Sequence, residues 1–137
     1  MDLNMKYEVR IMNSGAKITS FRDLNAWQYG HQLVLEIYEI TKDFPKEEMF
    51  GITNQLRRAI VSFTSNLAEG FSRASYKEKS QFYSMALGSL TEVQNQLIIA
   101  EGVGYITKNE LDRLDELIVT CSKLTNGLIK KSRSHNS

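Results

Sequence analysis

Pro45 is the only proline in 137 residues, and this scarcity constrains the fold more than any other feature of the chain. A proline inside a helix removes a hydrogen bond and clashes with the preceding turn, so its near absence leaves room for long uninterrupted helices. Apolar residues recur at spacings near 3.6 on both sides of Pro45, and with glycine punctuation they divide the chain into four helical segments and two tails. The first segment runs from Asp23 to Phe44. Trp27, His31, Val34, Tyr38 and Thr41 form one line, and Ala26, Leu33, Ile37, Ile40 and Phe44 the next. Asn25, Gln28, Gln32, Glu36, Glu39 and Asp43 lie opposite. Two adjacent apolar lines imply contact with more than one neighbour. Pro45 ends the segment, because a residue before proline is pushed out of the α region.

The second segment carries Ile52, Leu56, Ala59, Phe63, Leu67 and Phe71 at spacings of three and four. Ser75 followed by Glu78 reads as a capping box, in which hydroxyl and carboxylate satisfy the free amides of a helix start. The third helix runs to about Val103, with Phe82, Ala86, Ser89, Val93, Leu97 and Ala100 in line, and Gly104 stops it. Thr107 to Glu110 is a second box, opening a helix striped by Leu111, Leu114, Ile118, Cys121 and Leu128 and fraying near Lys131. Ser20 to Asp23 is a weaker version before the first helix. Short links between long amphipathic helices favour antiparallel neighbours, hence an all-α, up-down-up-down four-helix bundle over residues 20–131. Residues 1–19 alternate Tyr7, Val9 and Ile11 with charges, but with no second strand they read as a mobile arm. Residues 132–137 read as a disordered tail.

Few groups are suited to catalysis. Tunable acids, bases and nucleophiles are scarce, with two histidines and one cysteine in the chain. His31 lies on an apolar line, where a satisfied core or interface histidine is expected. His135 is in the tail, and Cys121 on a core stripe reads as a small buried residue. There is no Glu-x-x-His pair, Walker loop, Gly-x-Gly-x-x-Gly or Cys-x-x-Cys, so we expect no catalytic residue, no metal and no cofactor. No stretch reaches the roughly 18 apolar residues of a membrane span, and the N-terminal residues lack a signal-peptide apolar run. A soluble, cytoplasmic, reducing setting is expected.

The unusual feature is polar. Ser62, Asn66, Glu69 and Arg73 share one face of the second helix, and Gly88, Glu92 and Asn95 form a line on the third. A glycine within a helix costs roughly 1 kcal/mol relative to alanine, so Gly88 suggests a close helix approach. The expected arrangement is a structural polar network in which Arg57 or Arg58 neutralises Glu69 or Glu92. A metal hydrolase built on Glu69 and Glu92 is the weaker alternative, since those carboxylates have simpler partners in the two arginines.

The total charge of +1 conceals an uneven distribution. Residues 52–83 carry a net of +3 and residues 123–137 a net of +4, whereas residues 84–122 carry −4 and residues 1–51 carry −2. If the second helix's start, the 72–79 link and the C-terminal tail lie together, they form a basic patch that an oligomer multiplies. Its candidate nucleic-acid-binding residues are Arg57, Arg73, Lys77, Lys79, Lys130, Lys131 and Arg133.

Residues 55–73, QLRRAIVSFTSNLAEGFSR, and 86–92, ALGSLTE, resemble the signature of a bacterial four-helix bundle family whose founding members are encoded by intervening sequences of large-subunit ribosomal RNA genes. Phe21, Leu24, Trp27 and Gln28 upstream, and Phe44, Pro45, Glu48 and Gly51, also fit the pattern, which covers about residues 20–130. Thr64 departs from it, standing where the family has proline; its amide proton leaves the second helix straighter. The resemblance implies a homopentameric ring and kinship with the basic accessory variability protein of diversity-generating retroelements, which works with a reverse transcriptase and its nucleic acids. The expected function is therefore non-enzymatic binding of RNA or DNA by a basic oligomer surface. The alternative is a protein-interaction scaffold for a partner enzyme.

Overall fold

The computed structural model describes residues 17–134. A 3₁₀ turn, Phe21–Asp23, leads into α1 (Asn25–Thr41), and a second, Lys46–Glu48, precedes α2 (Ile52–Ser72). Helix α3 spans Tyr76–Gly102 and α4 Lys108–Ser134, and no strand occurs among the described residues.

Local chemistry accounts for most boundaries. Ser20 and Asp23 do form a capping box, but it closes the 3₁₀ turn, and α1 begins beyond the extended residue Leu24. The Asp23 carboxylate accepts the amides of Thr19 (3.0 Å) and Ser20 (3.1 Å), which hold its pKa below the ordinary value. Thr19 is thus tied to the fold; of the expected arm, residues 1–16 lie outside the described residues. Thr107 and Glu110 exchange both bonds of their box, at 2.8 and 3.1 Å, while Ser75 supplies its hydroxyl half to the Glu78 amide. Gly104 takes φ +88°, a left-handed conformation that glycine adopts without Cβ strain, and the next amide, of Tyr105, donates to Ala100 O at 2.8 Å. Helix α4 does not fray at Lys131. It continues to Ser134, with Ser132 buried and its hydroxyl donating to Leu128 O. Residues 135–137, His135 among them, lie outside the described residues.

Each helix runs antiparallel to its neighbours, and α1 packs on α2 and α4, as does α3. The pairings are antiparallel by register: Arg57 meets Thr41, Ser62 meets Ser89, Gln94 meets Asp115 and Arg113 meets Glu36. This is the expected up-down-up-down bundle. Leu33, Ile37, Leu56, Ile60, Phe63, Leu67, Val93, Leu97, Leu114 and Cys121 are fully enclosed, each large apolar side chain contributing about 1.5–3 kcal/mol. Helix α2 passes through Thr64 without interruption, consistent with the missing proline there.

The two apolar lines of α1 have different fates. Ala26, Leu33, Ile37 and Phe44 enter the core. On the other line only Thr41 is buried, and Tyr38 and His31 face outward. His31 is not a core residue of the protomer. It is exposed and stacked flat on Trp27, ring centroids 4.9 Å apart.

Candidate functional site

The α2–α3 seam gathers part of the expected network. Ser62 and Ser89 hydroxyls meet at 2.9 Å, and Asn66 Nδ2 donates to Ser62 O and Oγ. One to two turns further on, Arg73 pairs with Glu69 at 3.3 Å and its guanidinium lies 4.5 Å over the Phe82 ring. Ser72 also donates to Glu69, whose side chain is half exposed. At the other end of the seam Gln96 donates to Gln55 and Glu92, both at 3.4 Å. These are separate clusters along one seam. Two buried atoms in them, Arg73 Nε and Gln96 Oε1, have no hydrogen-bond partner.

Four expected members behave differently. Arg57 leaves the seam for the opposite face of α2, where its Nε donates to Thr41 Oγ1 at 2.9 Å and its guanidinium covers Tyr38. Arg58 is exposed, and the partner of Glu69 is Arg73 rather than either arginine of the earlier turns. Glu92 is exposed, and it accepts from Gln96 in the seam rather than from either arginine. Gly88 is exposed too, and a Cβ built there would meet nothing within 4 Å, so it marks no close approach within the protomer. The close approaches occur at Gly30, where a Cβ would lie 2.6 Å from Phe63 Cε2, and at Gly70, 2.7 Å from Tyr83 Cε1. Glycine in a helix was the right signal at the wrong position, because one-helix periodicity does not say which face a neighbour covers.

The basic residues divide by end of the bundle. Arg73 at the end of α2, Lys77 and Lys79 at the start of α3, and Lys130, Lys131 and Arg133 at the end of α4 share one end. Arg57, near the start of α2, lies toward the other, about 1.5 Å per residue away along the helix axis. The expected convergence of the second helix's start with the other two segments does not occur. Lys79 is also not a free surface cation. Its Nζ donates to Phe71 O at 2.6 Å and Gly70 O at 3.4 Å, closing the C-terminus of α2, and desolvation lowers its pKa. At the opposite end Asp43, Glu47, Glu48, Glu101, Glu110, Asp112, Asp115 and Glu116 outnumber Lys42, Lys46, Arg57, Lys108 and Arg113, so the bundle is polarised along its axis.

Other features had weak signals or none in the sequence. Glu36, placed on the polar side of α1, is enclosed and pairs with Arg113 of α4. At the acidic end Tyr105 donates to Glu48 at 2.7 Å, which raises the tyrosine pKa, and packs on Phe44. Phe50, beside them in the chain's α1–α2 link, is 91% exposed. Among the described residues no three His, Cys, Asp or Glu side chains gather as a metal would require, and no helix is long and apolar enough to cross a membrane.

Fold and seam together define an antiparallel four-helix bundle with a polar α2–α3 interface. The family model of the 23S rRNA-intervening sequence proteins matches residues 22–127, and the chain belongs to that family. Among solved structures it is similar to a protein of unknown function from the S23 ribosomal protein family of Bacteroides thetaiotaomicron VPI-5482. The TM-score is 0.71 at 19% identity, covering 77% of this chain and 98% of that one, a likeness of fold. No curated protein matches the chain.

Proposed function

We propose that the chain is a non-enzymatic homo-oligomer, assembled as a pentameric ring in the cytoplasm, that binds RNA or DNA through the basic end of each bundle. The observation that carries this reading is the gathering of Arg73, Lys77, Lys130, Lys131 and Arg133 at one end, with the acids at the other. The acids on the basic end are Asp23, Glu69, which pairs with Arg73, and Glu78, and the cations there outnumber them, which leaves a positive field. A ring repeats that field around one rim. Assembly is supported by the outward apolar line of α1, on which Tyr38 is exposed, and by Val61, exposed one turn of α2 beyond the Arg57 that covers Tyr38.

Binding of this kind weakens steeply with salt. With one or two phosphates per protomer a pentamer engages about 5–10, so log affinity falls against log salt with a slope of roughly −4 to −9 on duplex DNA. A fluorescence-anisotropy titration with labelled RNA and DNA measures it, and light scattering coupled to gel filtration measures the mass. No binding at about 50 mM salt eliminates the nucleic-acid reading, and a monomeric mass eliminates the ring. A protein-interaction scaffold is the second reading, favoured by the exposed Phe50 and Met49 at the acidic end. Large exposed apolar side chains grouped together mark contact surfaces for other proteins.

A further inference from the structure

The basic end also presents an aromatic ring. Tyr76, the first residue of α3, is 40% exposed. Its position relative to α4 follows from register. Gln94 donates to Asp115 at 3.0 Å across the α3–α4 seam. Tyr76 precedes Gln94 by eighteen residues and Arg133 follows Asp115 by eighteen, about five whole turns in each helix. Both residues therefore return to the angular positions of the hydrogen-bonded pair, and Tyr76 stands level with Arg133 across the same seam. Lys130 lies three residues before Arg133 on the same side of α4, and Lys77 adjoins Tyr76; all three cations are exposed. Glu78, the acid nearest in sequence, points away from this seam, toward the α2 side of α3, since it lies two residues and about 200° from Tyr76.

We propose that Tyr76, with Lys77, Lys130 and Arg133, forms a docking platform for single-stranded nucleic acid, a base stacking on the phenol ring while the cations hold the adjoining phosphates. The inference rests on the nucleic-acid reading above and narrows it. A duplex hides its base faces within its own stack, so an aromatic ring gains little from it. A single strand presents an unstacked base, and base–aromatic stacking contributes about 1–3 kcal/mol per base, whatever the base.

The test uses the full chain and fluorescein-labelled single strands of about 15 nucleotides, oligo(U) RNA and oligo(T) DNA, whose bases are largely unstacked, beside a duplex of the same length. The wild type binds the single strands more tightly than the duplex. Tyr76→Ala weakens single-strand binding about tenfold while the salt slope and duplex binding stay unchanged, and Tyr76→Phe retains wild-type affinity. Circular dichroism and gel filtration confirm that each variant keeps its fold and mass. Equal wild-type affinity for single strand and duplex, or an unaltered Tyr76→Ala, overturns the platform and leaves electrostatic binding standing. Failure of the wild type to bind any of the probes overturns both readings together.

Discussion

Glu36 of α1 and Arg113 of α4 form an ion pair that joins the first helix to the last, with the Glu36 side chain 2% exposed and that of Arg113 25% exposed. Gln32 also donates to the Glu36 carboxylate at 3.0 Å. Removing the arginine leaves a carboxylate buried without its counter-charge, a change that costs about 3–5 kcal/mol in comparable pairs. Arg113→Ala is therefore expected to lower the urea midpoint strongly. Replacing both partners by leucine recovers much of the loss, because no charge is then stranded. A small effect of Arg113→Ala would show that solvent reaches Glu36.

Gly30 and Gly88 are both helical, and alanine at the two positions should act in opposite directions. At Gly30 the new methyl meets Phe63 and Thr64, and overpacking of this kind costs about 1–3 kcal/mol, more than the helix propensity gained. At Gly88 the methyl meets nothing, so Gly88→Ala gains up to about 1 kcal/mol and raises Tm by about 3 °C. Calorimetry of the two variants reads the signs directly. A destabilised Gly88→Ala would place that face against another subunit.

Lys77 and Lys79 separate binding from stability. Lys79 holds the carbonyls that end α2, so Lys79→Met is expected to lower Tm by a few degrees, the usual loss being about 1 kcal/mol for a hydrogen bond. Lys77 is exposed, and Lys77→Glu should leave Tm unchanged while weakening nucleic-acid binding. Thermal melts and anisotropy on the same samples distinguish the two. Glu69→Ala, at a half-exposed ion pair, should alter stability by no more than about 1 kcal/mol.

Burial pushes the Cys121 thiol from its ordinary pKa of 9.0 up to about 12. The folded state favours the protonated form, so this site is neutral in its effect below pH 9 and destabilising as pH rises from 9 toward 12. In that interval the unfolded chain ionises and the folded one does not, at about 1.4 kcal/mol per pH unit. Cys121→Ala should flatten the alkaline fall in stability. A thiol reagent at pH 8 should label the native protein only at the rate of unfolding.

Much of the candidate site was legible in the residues. The spacing of Ser62, Asn66, Glu69 and Arg73 put them on one face, and they do line one seam, because side chains four apart on a helix are neighbours whatever surrounds them. The same local rule located Gly104 and the Thr107 box, whose bonds close within a few residues. Other contacts required a second helix. Arg57 was assigned to the carboxylates of the seam, yet the docking of α1 offers it Thr41 and Tyr38. Glu36 was assigned to solvent until α4 covered it with Arg113. Gly88 and Gly30 could not be ranked, since both cost the same helix propensity and only the approach of Phe63 makes one of them necessary. Periodicity and capping thus determined four helices, the starts of α3 and α4 and the Gly104 stop, because those are settled by bonds within a turn, whereas the ends of α1 and the far end of α4 fell elsewhere than expected. Which face each helix turns to which neighbour, and hence which charges meet at one end, was decided by long-range packing, because side chains such as Glu36 and Arg113, 77 residues apart, come together only when the core closes.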